Sequence, residues 1–551
     1  MARMTGGRAL VKSIMAHGVD TVFGLPGVQM DHFFNALHDE GNAIRVIQTR
    51  HEQGAAYMAF GYAAATGKVG AFAVVPGPGL LNTTAALSTA YGCNTPVLAL
   101  TGQIPSAYIG RGLGMLHEIP DQLALIRGLT KWAERIEHPA HVPGLVAEAF
   151  RQMRTGRQRP VELEMALDIM ATETEVGAPS PATPAPPTPV DGDLIEKAAK
   201  LLGEAEQPLI FVGGGVFGAE AELLETAEML QAPVVSHRMG RGAVDDRHYL
   251  SQNQPAGHRL WATADVVLAV GTRLQHQRMS WGTDADLKIV HIDIDPAELK
   301  RISTPAVGIA ADAKTALAAL LPALARHNRA RVSREDELSA LKTEMLALFE
   351  DKLAPQMAWL TALRRGLPEN GILVDEFTQV GYMARAAFPV HEPRTLLSSG
   401  YQGTLGYGYA AALGAKVARP DRPVLSVNGD GGFMFNVQEL ATAVQHGIGA
   451  VAVVFDDGAY GNVQRMQEEM HGGRVIATDL RNPDFAAMAE SFGAAGRRAE
   501  TPAELETALR EAVAADAPCV IHVPVARMPD PWPVLMPRRA RGRRRRLVSI
   551  P

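Results

Sequence analysis

Residues 424–444, VLSVNGDGGFMFNVQELATAV, join a short apolar strand pattern to Asn428-Gly429-Asp430-Gly431-Gly432 and then to a helical pattern. Glycines let the backbone turn tightly and approach a phosphate, and a helix start offers it free N–H groups and a positive dipole. Asp430 stands where a carboxylate can hold a divalent cation. At the end of the next strand pattern, AVAVVF (450–455), Asp457 follows Asp430 by 27 residues, within Asp456-Asp457-Gly458-Ala459-Tyr460-Gly461-Asn462. Two carboxylate-bearing turns at the ends of adjacent strands can share one hard cation, completed by a backbone carbonyl and diphosphate oxygens.

Outward from this stretch the chain keeps alternating β-rich runs with helical segments. AFAVVP (71–76) and PVLALTG (96–102) come early, PLIFVGGG (208–215), ADVVLAVG (264–271) and KIVHIDID (288–295) in the middle, and GILVDE (371–376) before the glycine turn. Buried strand runs spaced by helices predict an α/β fold of three open, mostly parallel, doubly wound sheets, with ligands beyond the C-terminal strand ends. Six prolines in GAPSPATPAPPTPVD (177–191) mark an extended linker, and RHNRARVSREDELSALKTEMLALFEDKLAP (326–355) is charged and helical in pattern. The expected organisation is an N-terminal domain at 1–175, a linker at 176–191, a central domain at 192–335, a helical linker at 336–360, a C-terminal domain at 361–535 and a tail at 536–551. Seven of the nine residues from Arg538 to Arg546 are arginine, a density that repels itself and is expected to be solvated.

Composition narrows the class. A chain of 551 residues, 47% hydrophobic and 20% charged, is long enough for several domains and too apolar to be mainly disordered. Its net charge of −6, from 53 basic and 59 acidic residues, gives no reason to expect a nucleic acid partner. Two cysteines, Cys93 and Cys519, cannot build a disulfide framework or a cysteine-rich zinc site, and their scarcity fits a reducing compartment. The start, Met1 to Asp20, lacks the apolar run of a signal peptide, and the uncharged stretch Val69 to Gly110 is broken by Pro76, Pro78, Pro96 and Pro105. A soluble, cytoplasmic protein with no membrane partner is expected.

Gly-Asp-Gly followed by an acid and then Tyr-Gly resembles the thiamine diphosphate motif. Over about 1–535 the chain is similar to the acetohydroxyacid synthase, benzaldehyde lyase and pyruvate oxidase group. The resemblance implies a pyrimidine-binding domain at 1–175, a central domain and a diphosphate-binding domain at 361–535, with Mg²⁺ held by Asp430, Asp457 and the backbone of Ala459. Arg50-His51-Glu52 matches the family's strand-end acid, so Glu52 is expected beside N1′ of the aminopyrimidine, moving the proton that activates the cofactor. VVPGPGLLN (74–82) matches the loop that approaches the pyrimidine, which brings in Pro76 and Asn82. In SSGYQGTLGYGYAAALGA (398–415), Gly403 is expected to offer its carbonyl to the 4′-amino group and Leu405 to wedge under the bent cofactor. Gly429, Gly431, Gly432, Phe433, Tyr460, Gly461 and Asn462 complete the implied diphosphate contacts.

Departures from the pattern fall at the second metal position and in the substrate-facing loops. Asp457 stands where the family has asparagine, which makes the cation site more negative and its affinity more pH-dependent. The family's Phe-Gln-Glu is matched by Leu116-His117-Glu118, its methionine after Leu-Gly by Asn462, and its pocket tryptophan by Met466. Gln29 takes the place of the benzaldehyde lyase histidine. His117 and Asn462 can orient a carboxylate or carbonyl, and His117 can relay a proton. In the central domain Gly213-Gly214-Gly215-Val216-Phe217-Gly218 is formally a dinucleotide fingerprint, but no acid follows a second strand near 235, so a tight strand-to-helix turn is the better reading. Relatives hold FAD, ADP or nothing there. Arg241, Arg273 and Arg278 could meet a pyrophosphate, whereas RLQHQR (273–278) departs from the flavin-site pattern.

The activity implied is a thiamine diphosphate- and Mg²⁺-dependent carboligase or lyase on 2-oxo acids or 2-hydroxy ketones, acetolactate synthase-like. The alternatives are a simple 2-oxo acid decarboxylase, a benzaldehyde lyase-like acyloin lyase, or a non-catalytic cofactor-binding protein. Small carbonyl compounds are the expected partners, in a homodimer or homotetramer with active sites between subunits.

Overall fold

The computed structural model describes residues 1–183 and 185–542. The arginine tail was expected at 536–551, and its part from 543 on lies outside the described residues. The chain divides into two compact units: Met1–Ala185 with Gly366–Thr378 and Leu397–Ala526, and Pro186–Arg365 with Gln379–Leu396 and Arg527–Pro551.

The first unit carries two six-stranded sheets. In the N-terminal one the order is Arg45–Gln48, Thr21–Gly24, Gly70–Val74, Val97–Gln103, Val161–Ala166 and Trp132–Ile136, and every pairing is parallel. The C-terminal sheet repeats this order and runs parallel through Ile372–Asp375, Val424–Gly429, Ala450–Asp456, Cys519–Pro524 and Ala495–Arg498. In both, the first and third strands in chain order are neighbours, and the connections leave them in opposite directions. The gap above their C-terminal ends is the crevice in which an open α/β sheet binds ligands. Strands such as Val424–Gly429 and Gly70–Val74 are buried along their whole length because helices cover both faces, which their continuous apolar runs allow.

One helix pair ties the two sheets together. Helix Glu52–Thr66 starts at His51, whose side chain accepts from the Gln53 N–H, and ends at Gly67 with φ +74°. Its near-uniform small and apolar surface, Ala55 to Ala65, packs along helix Gly408–Ala418. The axes come close enough that a Cβ on Gly61 would overlap the Ala411 carbonyl, and one on Gly414 the Met58 carbonyl. Glycine is required at both crossings.

In the second unit the six strands run Ser251–Gln252, Val234–Ser236, Pro208–Val212, Val266–Val270, Lys288–Asp293 and Val307–Ala310, all parallel. In chain order this is 3-2-1-4-5-6, the dinucleotide-fold arrangement. The helical pattern after it is realised as Glu335–Gly366, with non-helical backbone at Leu353, two residues before Pro355. Among the described residues no helix is long and apolar enough to cross a membrane.

Candidate functional site

In the N-terminal sheet, the loops after Thr21–Gly24 and Gly70–Val74 flank the crevice and carry Gln29 and Pro76. Gln29, 4% exposed, donates from Nε2 to the Leu116 carbonyl at 3.0 Å, and its Oε1 lies 3.0 Å from His117 Nδ1. His117 sits at φ +67°, left-handed backbone that side chains seldom adopt, and such strain gathers at functional loops. Gly77, at φ +57°, turns the neighbouring loop so tightly that a Cβ there would overlap the His117 carbonyl. Its N–H is held at 2.8 Å by Oε1 of the buried Gln122, which also donates to the Gly102 carbonyl at 3.1 Å and to Glu164 at 2.9 Å. Gln29, Pro76 and His117, drawn from three separate loops, thus form one group.

Glu52 opens its helix at the next strand end and is half-buried. Asn82 Nδ2 donates to its Oε2 at 3.0 Å, and Oε1 lies against Gly79. The turn that presents Glu52 is pinned from the C-terminal half of the same unit: the carboxylate of Glu439 accepts from the N–H groups of Arg50 at 3.2 Å and His51 at 3.0 Å. Burial raises the Glu439 carboxyl above its ordinary range. Gly54 leaves room for it, since a Cβ there would strike Glu439.

The third group lies at the crevice of the C-terminal sheet. Gly429 to Phe433 are all buried, and the helix they open, Asp430–Phe433, is four residues long; the chain becomes helical again at Glu439–His446. The long helix expected directly on the glycine turn is therefore replaced by a tight bend. Its glycines are demanded by the protein itself: a Cβ on Gly431 would come within 2.5 Å of the Tyr460 ring, and one on Gly432 would overlap Glu376. The Phe433 ring packs between Tyr409 and Phe485 in the core, leaving its backbone as the part that can meet a diphosphate.

Asp430 is 3% exposed, and its carboxyl is pushed up to about 7, first by burial and then by the nearby charges of Asp457 and Asp456. Asn482 bridges the two turns, donating to Asp430 Oδ2 at 2.6 Å and Asp456 Oδ1 at 2.7 Å. Asp456 also meets His522 Nε2 at 3.0 Å. Gly461 makes room for Asp457, since a Cβ would come within 2.6 Å of its Oδ2, and Ala459 is bridged to Asp479. A divalent cation on Asp430, Asp457 and a backbone oxygen suits this acid-rich donor set, whose like charges help raise the Asp430 carboxyl. Asn462 lies half-buried at the start of helix Gly461–Met470.

Gly403, exposed at φ +63°, and the half-buried Leu405 lie on the bend before helix Gly408–Ala418. Gly406 fixes that bend: Glu376 accepts its N–H, and Asn436 donates to its carbonyl at 2.5 Å. Sequence reading missed Glu376, Asn436, Glu439, Asn482 and Gln122. Only Glu376 carried a local signal, as an acid at the end of the strand run GILVDE.

In the second unit the glycine-rich turn after Pro208–Val212 serves strand packing. Cβ atoms on Gly213 and Gly215 would meet the Gly271 backbone at 2.5 and 2.8 Å. Arg241 donates to Asp246 at 2.5 Å and to the carbonyls of Arg385 and Phe388 at 2.7 Å, and Arg278 donates to Ser303. Arg241 is committed to protein partners, which does not fit it for a flavin pyrophosphate, whereas Arg278 bonds through one nitrogen and keeps Nε and Nη1 buried without a partner.

Three family models match the chain: thiamine pyrophosphate enzyme, N-terminal TPP binding domain, over residues 4–125; the central domain over 195–320; and the C-terminal TPP binding domain over 377–523. A probable acetolactate synthase large subunit of Methanocaldococcus jannaschii is 35% identical, covering 94% of this chain and 92% of that protein. A probable 2-ketoarginine decarboxylase of Pseudomonas aeruginosa is 34% identical over 92% of this chain and 91% of its own length. An acetolactate synthase of Arthrospira platensis is 33% identical over 97% and 96% respectively.

Proposed function

The chain belongs to the thiamine pyrophosphate enzyme family and is a thiamine diphosphate-dependent enzyme of C–C bond formation or cleavage; on that premise we propose that it is a Mg²⁺-dependent carboligase that joins a 2-oxo acid to a second carbonyl compound. Thiamine diphosphate supplies, when bound, a carbon nucleophile and an electron sink for bonds beside a carbonyl. Glu52 takes the proton-moving role at N1′, with its Oε2 oriented by Asn82. Gly403 accepts from the 4′-amino group and Leu405 supports the bent conformer. Gly429, Gly431 and Gly432, with the backbone of Phe433, Tyr460, Gly461 and Asn462, line the diphosphate, and Asp430, Asp457 and the Ala459 carbonyl hold Mg²⁺. Gln29 and His117 orient the substrate carboxylate or carbonyl. Two copies of the chain complete each site, as a dimer or tetramer in the cytoplasm.

The observation that carries this reading is the Glu52–Asn82 pair and the acid-rich Asp430–Asp457 turns, each beside the crevice of a parallel sheet. The test is C2–H/D exchange of thiamine diphosphate with Mg²⁺ on the wild type and on Glu52→Gln. Fast exchange that the variant loses supports the assignment, and wild-type exchange no faster than free cofactor refutes it. Carboligation is then read by supplying pyruvate alone and pyruvate with a second 2-oxo acid or aldehyde. The likeness to a 2-ketoarginine decarboxylase favours a second reading, simple decarboxylation, and release of free aldehyde as the sole product would establish it.

A further inference from the structure

We propose that Glu376 is a positioning residue that acts as a neutral carboxylic acid: it clamps the Gly403–Gly406 bend to the Gly431–Gly432 turn, and its proton is shared with Asn428. The inference rests on reading those two turns as the cofactor cradle. Glu376 follows the first strand of the C-terminal sheet and Gly429 ends the third, so both border the crevice between these neighbouring strands.

The side chain is fully buried. Its Oε1 accepts the Gly406 N–H. The same Oε1 fills the space a Cβ on Gly432 would need. One carboxyl therefore sets the separation of the bend that carries Gly403 and Leu405 from the turn that faces the diphosphate.

The protonation follows from the remaining atoms. Oε2 of Glu376 and Oδ1 of Asn428 are both buried without a hydrogen-bond partner. Both lie beside Gly408, where the position of a Cβ would be 2.7 Å from the first and 2.8 Å from the second. Asn428 cannot turn its amide round to supply a donor, because its Nδ2 is engaged by Ser426 Oγ at 2.9 Å and the Ser426 carbonyl at 3.2 Å. Buried acceptors left without a donor are expensive, and a proton carried by the carboxyl supplies one. The charged and titratable neighbours agree: Asp375 opposes ionisation of Glu376, and Tyr57 faces it from helix Glu52–Thr66 as a neutral phenol. Burial, with Asp375, pushes the Glu376 carboxyl up to about 7.

Two variants separate the proton from the mere presence of a side chain. Glu376→Gln keeps an acceptor for Gly406 and a donor for Asn428, whereas Glu376→Met keeps the volume and loses both. In cofactor-free protein at pH 6, infrared difference spectra of wild type against Glu376→Gln are expected to show a protonated-carboxyl stretch, and absence of that band overturns the neutral acid whatever the fate of the cofactor reading. Thiamine diphosphate affinity with Mg²⁺, followed by tryptophan fluorescence, is expected to stay within threefold in Glu376→Gln and to weaken at least tenfold in Glu376→Met, with circular dichroism unchanged. Equal affinity of Glu376→Met and wild type overturns the clamp, and so does a Gln variant as weak as the Met variant. Wild type that binds no thiamine diphosphate while showing the carboxyl band removes the cofactor reading and the clamp with it, leaving only the buried acid.

Discussion

The Glu376→Gln replacement also makes a quantitative demand on stability. Glu376 titrates at about 7 in the fold, against its ordinary 4.5. Between those values the folded chain binds a proton that the unfolded chain has lost. The contribution is therefore fully present below about pH 4.5 and falls away as pH rises through about 7. At 1.36 kcal/mol per pH unit, the interval amounts to about 3 kcal/mol. Glutamine has no such proton to lose, so the stability of Glu376→Gln relative to wild type is expected to climb by about 3 kcal/mol from pH 4.5 to pH 8. For a chain of this size that is a rise of a few degrees in the difference between the two melting temperatures. Differential scanning calorimetry of the two cofactor-free proteins at half-unit pH steps measures it, and comparing wild type with variant cancels every other titration. A difference that stays flat to within about 0.5 kcal/mol across the window, where each pH unit should be worth 1.36, refutes the reasoning.

Other consequences are as specific. Asp457→Asn removes one of the negative charges facing Asp430, and a loss of about 1.4 kcal/mol of attraction predicts roughly tenfold weaker Mn²⁺ binding at pH 8, read by electron paramagnetic resonance. Glu52→Gln is expected to lower the rate of C2–H/D exchange by about 10²-fold or more while leaving the melting temperature close to wild type, since the Asn82 contact can be kept. Gln29→Leu deletes both the His117 and Leu116 contacts, so kcat/KM for the carbonyl substrate should fall with thiamine diphosphate affinity within twofold; a loss of cofactor affinity instead would take Gln29 out of the substrate side. Gly61→Leu places a side chain on the Ala411 carbonyl and is expected to cost about 3 kcal/mol or more, seen as a lower urea midpoint or insoluble protein.

Much of this architecture could be read from the chain because its sheets are buried on both faces. Apolar runs such as AVAVVF and PVLALTG have few alternatives to being inner parallel strands, and the glycine turn at 429–432 marks a strand end by itself. The residues that hold the turns were not legible, since each meets its partner far along the chain: Glu439 caps the backbone of Arg50 and His51, Glu376 holds Gly406, and Asn482 joins Asp430 to Asp456. A glutamate in QEL or at a strand end looks like ordinary solvated charge until the fold buries it. The glycines after 429 and 213 illustrate a different limit. After 429 their number suggested ligand approach, and the immediate demand on Gly431 comes from Tyr460; after 213 a tight strand-to-helix turn was the better reading, and there Gly213 and Gly215 meet the Gly271 backbone.

The repeated strand order of the two sheets in the first unit has a consequence for specificity. At equivalent crevices, the backbone turns are gripped by buried polar groups: Gln122 holds Gly77 in one sheet and Glu376 holds Gly406 in the other. Changing any of these groups disturbs main chain, so these positions are closed to gradual change. Apart from Asp457 at the proposed metal turn, the side chains that differ from the acetohydroxyacid synthase pattern lie elsewhere. His117 and Asn462 are half-buried, Leu116 is 62% exposed and Met466 39% exposed, on loop or helix positions where replacement leaves the turns intact. On the proposed function, cofactor chemistry rests on these turns and substrate choice on the loop and helix side chains, with Asn462 common to both. Identity near 35% over most of the chain carries the chemistry of the cofactor to this protein, while on the proposed function the choice of substrate falls to His117, Gln29, Asn462 and Met466.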